Sequence, residues 1–211
     1  MNTVDEQAWD KRYEGGELVW GSGPNRFLVE QVANLKVGTA LDVACGEGRN
    51  AIWLAEKGWR VVGVDFSSVG LEKARRLAEE RGVTVDWVRG DVAMWIPPNT
   101  YDLVVVMYLH LPTEVRHRVF ALMAKSVAVG GTMLVVGHDL SNLTEGYGGP
   151  QDLAVLYGPD DVVADLDGIL EIERAERVDR WVGGPEGKAR AIDVLVRGRR
   201  GSPDPLTSAP L

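Results

Sequence analysis

The chain has 211 residues, room for one domain but not for two of full size, and enough to bury a core without metal or disulfide staples. Lys and Arg total 23 against 31 Asp and Glu, a formal net charge of −8 that argues against a broad nucleic-acid face, since phosphate neutralisation needs clustered cations. The single cysteine, Cys45, excludes an intrachain disulfide and a multi-cysteine zinc site. The opening MNTVDEQAWD carries acids where a secretory leader needs basic and then apolar residues. The longest charge-free apolar stretch, Ser126–Gly137, holds three glycines and is too short to span a bilayer. A cytoplasmic protein without a membrane partner is expected.

From about residue 38 to 138, strand-like and helix-like segments alternate. Thr39–Cys45 is a compact apolar strand interrupted by Asp42, and 49–57 reads as a helix that Gly58 stops. Arg60–Asp65 is a second strand, and 67–81 a helix with Leu71, Ala74 and Leu77 on one face. Thr84–Val88 is a short third strand. Tyr101–Leu109 is apolar enough for a central parallel strand buried on both faces. A helix over 113–126 and a fifth strand, Gly131–His138, follow. The pattern then breaks: 139–157, with Gly146, Gly148, Gly149 and Pro150, reads as an irregular insertion, and a short helix is expected near 159–166. Strands at about 169–181 and 189–198, joined by a glycine-rich connection, predict an antiparallel hairpin. The whole is an α/β, doubly wound, mostly parallel seven-stranded sheet ending in that hairpin. One domain is expected over 1–200, with 1–35 as an N-terminal lid, 139–157 as a substrate cap and 201–211 as a disordered tail.

In such sheets ligands bind beyond the carboxyl ends of the strands. After the first strand, LDVACGEGRNA (Leu41–Ala51) places Gly46 and Gly48 in a tight turn before a helix whose free N–H groups can meet a ligand. Asp65 ends the second strand, where a carboxylate can accept both ribose hydroxyls, and Asp91 follows the third in RGDV, within reach of an adenine amino group. Each alone reads equally as a turn or cap residue; together they suit an adenosine-bearing ligand. Gly46-x-Gly48-x-x-Ala51 also satisfies the relaxed dinucleotide fingerprint. Against a nicotinamide cofactor stand the acid at Asp42, the absence of a tyrosine with a lysine four residues on, and the lack of length for a catalytic domain.

These three motifs resemble those of class I S-adenosylmethionine-dependent methyltransferases, over about residues 9–198. The WDKRY segment with Trp20, and the segments around 148–161, resemble the small-molecule branch with tellurite-resistance and thiopurine-type enzymes. The resemblance implies that Gly46 and Gly48 lie against the methionine part of S-adenosyl-L-methionine, with Asp42 toward its amino group. It implies Asp65 on the ribose, Phe66 on the adenine face, Asp91 and Val92 at the adenine edge, the Met107 backbone closing the methionine side, and Tyr13 and Trp20 as a lid.

Methyl transfer from a sulfonium needs alignment and, for a weakly acidic acceptor, a base. Of three histidines, His117 lies on a solvated helix face, whereas His110 and His138 follow the fourth and fifth strands and are the candidate bases. Asp139 orients His138 or caps the turn into Asn142. Tyr108, Tyr147, Tyr157 and Trp95 are candidates for an aromatic wall, and Tyr147 and Gln151 lie in the cap. Asp139, Asn142 and Asp152 offer oxygens of the kind magnesium accepts, but in no definite pattern, so no metal is expected. The expected function is O-methylation of a small-molecule hydroxyl, such as a sugar's. S- or chalcogen-methylation, and a non-catalytic cofactor-binding module, are the alternatives. No nucleic-acid partner is expected, and a homodimer is compatible with the sequence.

Overall fold

The computed structural model describes residues 6–202 apart from 185 and 186. The expected tail at 201–211 therefore falls almost wholly outside the described residues. In chain order the elements are α1 (Glu6–Tyr13), α2 (Arg26–Val32), β1 (Thr39–Val43), α3 (Arg49–Glu56), β2 (Arg60–Asp65), α4 (Ser68–Glu80), β3 (Asp86–Arg89), β4 (Tyr101–Met107), α5 (Thr113–Lys125), β5 (Val127–His138), α6 (Asn142–Glu145), a 3₁₀ turn at Leu153–Val155, α7 (Pro159–Leu166), β6 (Glu171–Gly184) and β7 (Gly187–Arg199). The sheet runs β3-β2-β1-β4-β5-β7-β6, parallel through β5, with β7 antiparallel to both β5 and β6. This is the Rossmann-like fold the βα alternation predicts.

β4 is central because its side chains have cover on both sides. Val104 and Val106 join Val119, Phe120 and Met123 of α5 in one layer. Leu103 and Val105 pack with Phe27 and Leu28 of α2 and Leu54 of α3 in the other. Burying each such side chain is worth roughly 1.5–3 kcal/mol. Among the described residues no helix is long and apolar enough to cross a membrane.

Three departures from the sequence reading have local causes. β5 begins at Val127, four residues early, because the β4–β5 register shifts between Tyr101 and Leu103, so that Val127 still pairs with Tyr101. The insertion is not wholly irregular: it holds α6 and the 3₁₀ turn, the latter capped by Asp152, which accepts from the Ala154 amide. The hairpin is longer than expected and overhangs the sheet. His138 ends β5 opposite Asp193, which pairs with Val178, and the β6–β7 ladder continues to Gly184 and Gly187. The segment beyond Val178 therefore projects past the carboxyl edge, over the ends of β4 and β5.

Candidate active site

The loop after β1 turns through left-handed backbone at Ala44 (φ 55°), Gly46 (φ 55°) and Gly48 (φ 76°). At Gly46 a side chain has no room, since a Cβ there would stand 2.7 Å from the Tyr13 hydroxyl. The loop is tied down from two sides. Asp42 is buried and accepts from the Ala51 amide at 3.0 Å. Asp65 accepts from Gly46 N and Ser67 N, each at 2.8 Å. Burial pushes the Asp42 carboxyl up to about 7, with the Asp65 charge adding to it, and burial likewise raises Asp65. Each Asp65 oxygen keeps a second lone pair for a ribose hydroxyl.

Of the other residues expected at this end, Tyr13 stands against this loop and Trp20 is tied to the helix that follows it. Tyr13 is buried against Gly46 and Gly70, and Asp10 of the same helix accepts from Ser67 Oγ (2.5 Å) and Ser68 Oγ (3.3 Å), latching α1 onto the start of α4. Trp20 is 44% exposed; its carbonyl accepts from Arg49 at 3.0 Å, and Arg12 stacks on its ring. Phe66 is half-buried, and Val92 and Met107 are buried. Asp91 is exposed, with one oxygen on the Ala93 amide and the other free. Carboxylates at Asp42, Asp65 and Asp91 beside a glycine turn fit a ligand with an ammonium, a ribose and an adenine.

Beyond this loop, the ends of β4, β5 and the overhanging hairpin enclose a second polar cluster. Tyr108 follows β4 with φ 57°, a conformation rare for a residue with a Cβ. Its hydroxyl donates to Asp193 at 2.8 Å and receives Asn25 Nδ2 at 3.4 Å. Asp193 is fully buried and accepts from Arg180 Nε at 2.6 Å. His138 Nδ1 stands 3.2 Å from the same carboxylate, out of line for a hydrogen bond, and is itself buried without a hydrogen-bond partner among the described residues. Burial alone would raise the Asp193 pKa, but His138, Arg180 and Tyr108 outweigh it and hold the carboxyl below its ordinary range. Gly149 lies over the His138 ring, where a Cβ would approach within 2.6 Å.

The two candidate bases differ sharply. His110 stacks on His138 at 5.4 Å, but Nδ1 faces the Val155 carbonyl at 3.3 Å and Nε2 accepts the His138 amide at 3.4 Å. Burial, with His138 alongside, drops its pKa to about 4. His110 holds the 3₁₀ turn against β5, and His138 is the histidine with a nitrogen to spare. His117 is largely exposed and pairs with Asp165.

Several residues expected at the acceptor end have other duties. Asp139 is buried and accepts from Ser141 N (2.9 Å) and Oγ (2.6 Å), so its carboxylate closes the turn before α6. Tyr157 belongs to the core, with its hydroxyl on the Leu109 carbonyl and its ring edge-on to Phe120. Tyr147 and Gln151 lie exposed on the cap, and Trp95 packs on Gly90. Asn142 is spent on Gly148 O and Ile192 N. Sequence reasoning passed over Asp193, Arg180 and Asn25. An acid inside the apolar run AIDVLV was the available signal for Asp193, the same one that marks Asp42 in LDV.

Residues 40–131 match the model of a family described as a methyltransferase domain. Thiocyanate methyltransferase 1 of Brassica oleracea is 31% identical over 121 residues, 54% of each chain. The 2-heptyl-1-hydroxyquinolin-4(1H)-one methyltransferase of Mycobacteroides abscessus is 28% identical over 143 residues, 64% of this chain and 62% of that one. The chain thus spans little more than half the length of these curated relatives. Among solved structures, the N-methyltransferase NodS from Bradyrhizobium japonicum in complex with S-adenosyl-L-homocysteine superposes with a TM-score of 0.71 at 17% identity, covering 93% of this chain and 98% of that one.

Proposed function

Since residues 40–131 match the model of a methyltransferase domain family, we propose that the chain moves a methyl group from S-adenosylmethionine to a hydroxyl oxygen of a small molecule, with His138 as the proton acceptor. The observation that carries this reading is the approach of His138 Nδ1 to the buried Asp193 carboxylate at 3.2 Å, a counter-ion for the ring once protonated, which would leave Nε2 for an acceptor. When bound, the cofactor supplies a methyl already activated by a sulfonium charge. Asp42 would receive its ammonium, Asp65 its ribose hydroxyls and Asp91 its adenine amino group, with Tyr13 and Trp20 placed to cover it.

At the acceptor end the chain must align an oxygen, exclude water and remove one proton. In transfer of the cofactor's methyl to oxygen, His138 Nε2 would take the proton that the acceptor hydroxyl loses. The resulting imidazolium then faces Asp193, whose position is held by Tyr108 and Arg180. The overhanging hairpin and the cap around Gly149 shield this step. A sugar or polyol hydroxyl is the acceptor type this arrangement suits, because such groups do not ionise unaided.

A second reading, methylation at sulfur of an already anionic acceptor, is favoured by the similarity to thiocyanate methyltransferase 1 and needs no base. S-adenosylhomocysteine release measured with sugars, phenols and thiols separates the two. His138→Ala is expected to lower kcat on a hydroxyl acceptor by about 10²–10⁴-fold. An unchanged rate, or turnover confined to thiols, would replace the first reading by the second, and no turnover of any acceptor would leave a cofactor-binding module.

A further inference from the structure

β6 ends the sheet, and its outer edge meets no other strand among the described residues. It is 14 residues long, more than most strands, and none of them is buried. A free edge of that length is a template for pairing, which proteins usually suppress with repelling charges or proline. The charges of β6 are arranged otherwise. In RAERVDRWV (Arg174–Val182), Arg174, Glu176, Arg177, Asp179 and Arg180 alternate in sign about Val178. Arg174, Asp179 and Arg180 have partners within the chain in Glu176, Arg190 and Asp193, whereas Arg177 has no ion-pair partner among the described residues. The Asp179–Arg190 pair is loose, at 3.7 Å on an exposed surface.

That pattern is self-complementary. Two copies of one strand can lie antiparallel across a twofold axis, and the pleat then sets side chains of the same face opposite one another. With Val178 opposite its own copy, Arg177 meets the partner's Asp179, Glu176 meets the partner's Arg180 and Ala175 meets the partner's Trp181. Arg174 falls opposite the partner's Val182, so no like charges oppose in this register. Moving the axis one or two residues either way sets Glu176, Arg177, Asp179 or Arg180 against its own copy. Moving it to Ala175 runs the ladder into the irregularity between Ile172 and Arg174. The charges therefore select one register rather than forbid pairing. Trp181 fits the same register, since it is 60% exposed and would cover a small, exposed alanine.

We propose that a second copy of this chain docks antiparallel along β6, with the twofold axis at Val178, and joins the two sheets into one. Each copy then reaches the other's acceptor cluster, because the partner's Glu176 faces Arg180, which holds Asp193.

Sedimentation velocity of the full chain tests this pairing. The wild type is expected to run as a dimer at micromolar concentration. Arg177→Asp opposes acid to acid, and Asp179→Arg opposes base to base, twice in each dimer. Each variant alone is therefore expected to weaken association about 10- to 100-fold. Mixing the two variants restores opposite charges at both contacts, so the mixture is expected to form heterodimers with about the wild-type affinity. A wild type that stays monomeric throughout the micromolar range overturns the proposal. Variants as dimeric as the wild type would put the interface elsewhere, and variants that dissociate but do not recombine would show damage to the hairpin instead of a lost pairing; either result overturns it too.

Discussion

Asp193→Asn removes the charge at the centre of the acceptor cluster while keeping its shape. In the native protein the fully buried carboxylate takes Arg180 Nε at 2.6 Å, the Tyr108 hydroxyl at 2.8 Å and the approach of His138 Nδ1 at 3.2 Å. An amide retains one acceptor oxygen and turns an NH₂ toward groups that are themselves donors, leaving Arg180 without its counter-ion. Breaking a buried ion pair from one side costs about 3–5 kcal/mol, and the surviving oxygen puts this variant near the lower end, about 3 kcal/mol. For a chain of this length that is a fall in Tm of roughly 6–12 °C. The sign with pH follows from linkage. The Asp193 carboxyl is held below its ordinary 3.8, so its stabilisation is complete above that value and is lost as pH falls through the lower folded value. Urea unfolding should therefore show the full difference between wild type and variant at pH 7 and pH 5, and a shrinking one below about pH 4. A difference under 1 kcal/mol at pH 7, or one that persists undiminished at pH 3, would refute the account of Asp193 as the cluster's counter-ion.

Two further outcomes follow from the cofactor loop and the core. Burial holds Asp42 up to about 7, so below that pH an incoming ammonium must displace a proton; S-adenosylhomocysteine affinity should rise with pH through 7, and Asp42→Asn should flatten that dependence. Titration in buffers of different ionisation enthalpy measures the proton released, and a pH-independent affinity in the wild type would count against it. Gly137→Ala places a Cβ 2.1 Å from the hydroxyl of fully buried Tyr157, an overpacking expected to cost about 1–3 kcal/mol. Pairing it with Tyr157→Phe should recover part of that loss in chemical denaturation, and a single variant as stable as wild type would show the interior to be looser than described.

The parallel half of the molecule was legible because its code is local. An apolar run with an acid at its end, a glycine turn and a helix with a three-residue apolar repeat each declare an element within a few residues, and Arg60–Asp65 matches β2 residue for residue. The candidate binding residues beyond β1, β2 and β3 follow from one rule, that ligands bind past the carboxyl ends of parallel strands. That rule is also why Asp193 and Arg180 escaped. β7 runs antiparallel, so the part of it at the functional edge is its beginning, and β6 reaches the same edge in mid-strand, before it overhangs. Neither residue stands after a strand in sequence, yet both stand at the edge in space. Tyr157 misled for a related reason: an aromatic beside a glycine-rich insertion reads as a pocket wall, but the missing side chain at Gly137 makes a slot for it inside the core.

Backbone strain points to the same place as the chemistry. Among the described residues, left-handed backbone with a Cβ occurs at Ala44 and Tyr108, just past the ends of β1 and β4. These two strands are neighbours, and the sheet order reverses between them, from β3-β2-β1 on one side to β4-β5 on the other. Helices on opposite faces diverge at such a reversal and leave a crevice. Each strained residue costs on the order of 1–3 kcal/mol and persists only where its surroundings fix it. Ala44 is fixed by the turn that brings Cys45 N onto the Val64 carbonyl at 3.0 Å. Tyr108 is fixed by its amide on the Val136 carbonyl at 2.7 Å and its hydroxyl on Asp193. The first distortion shapes the glycine turn proposed to meet the cofactor's methionine end. The second turns a hydroxyl into the acceptor cluster, where it helps hold the carboxylate that faces His138. The fold thus gives up stability at the two strand ends between which a methyl group would have to pass.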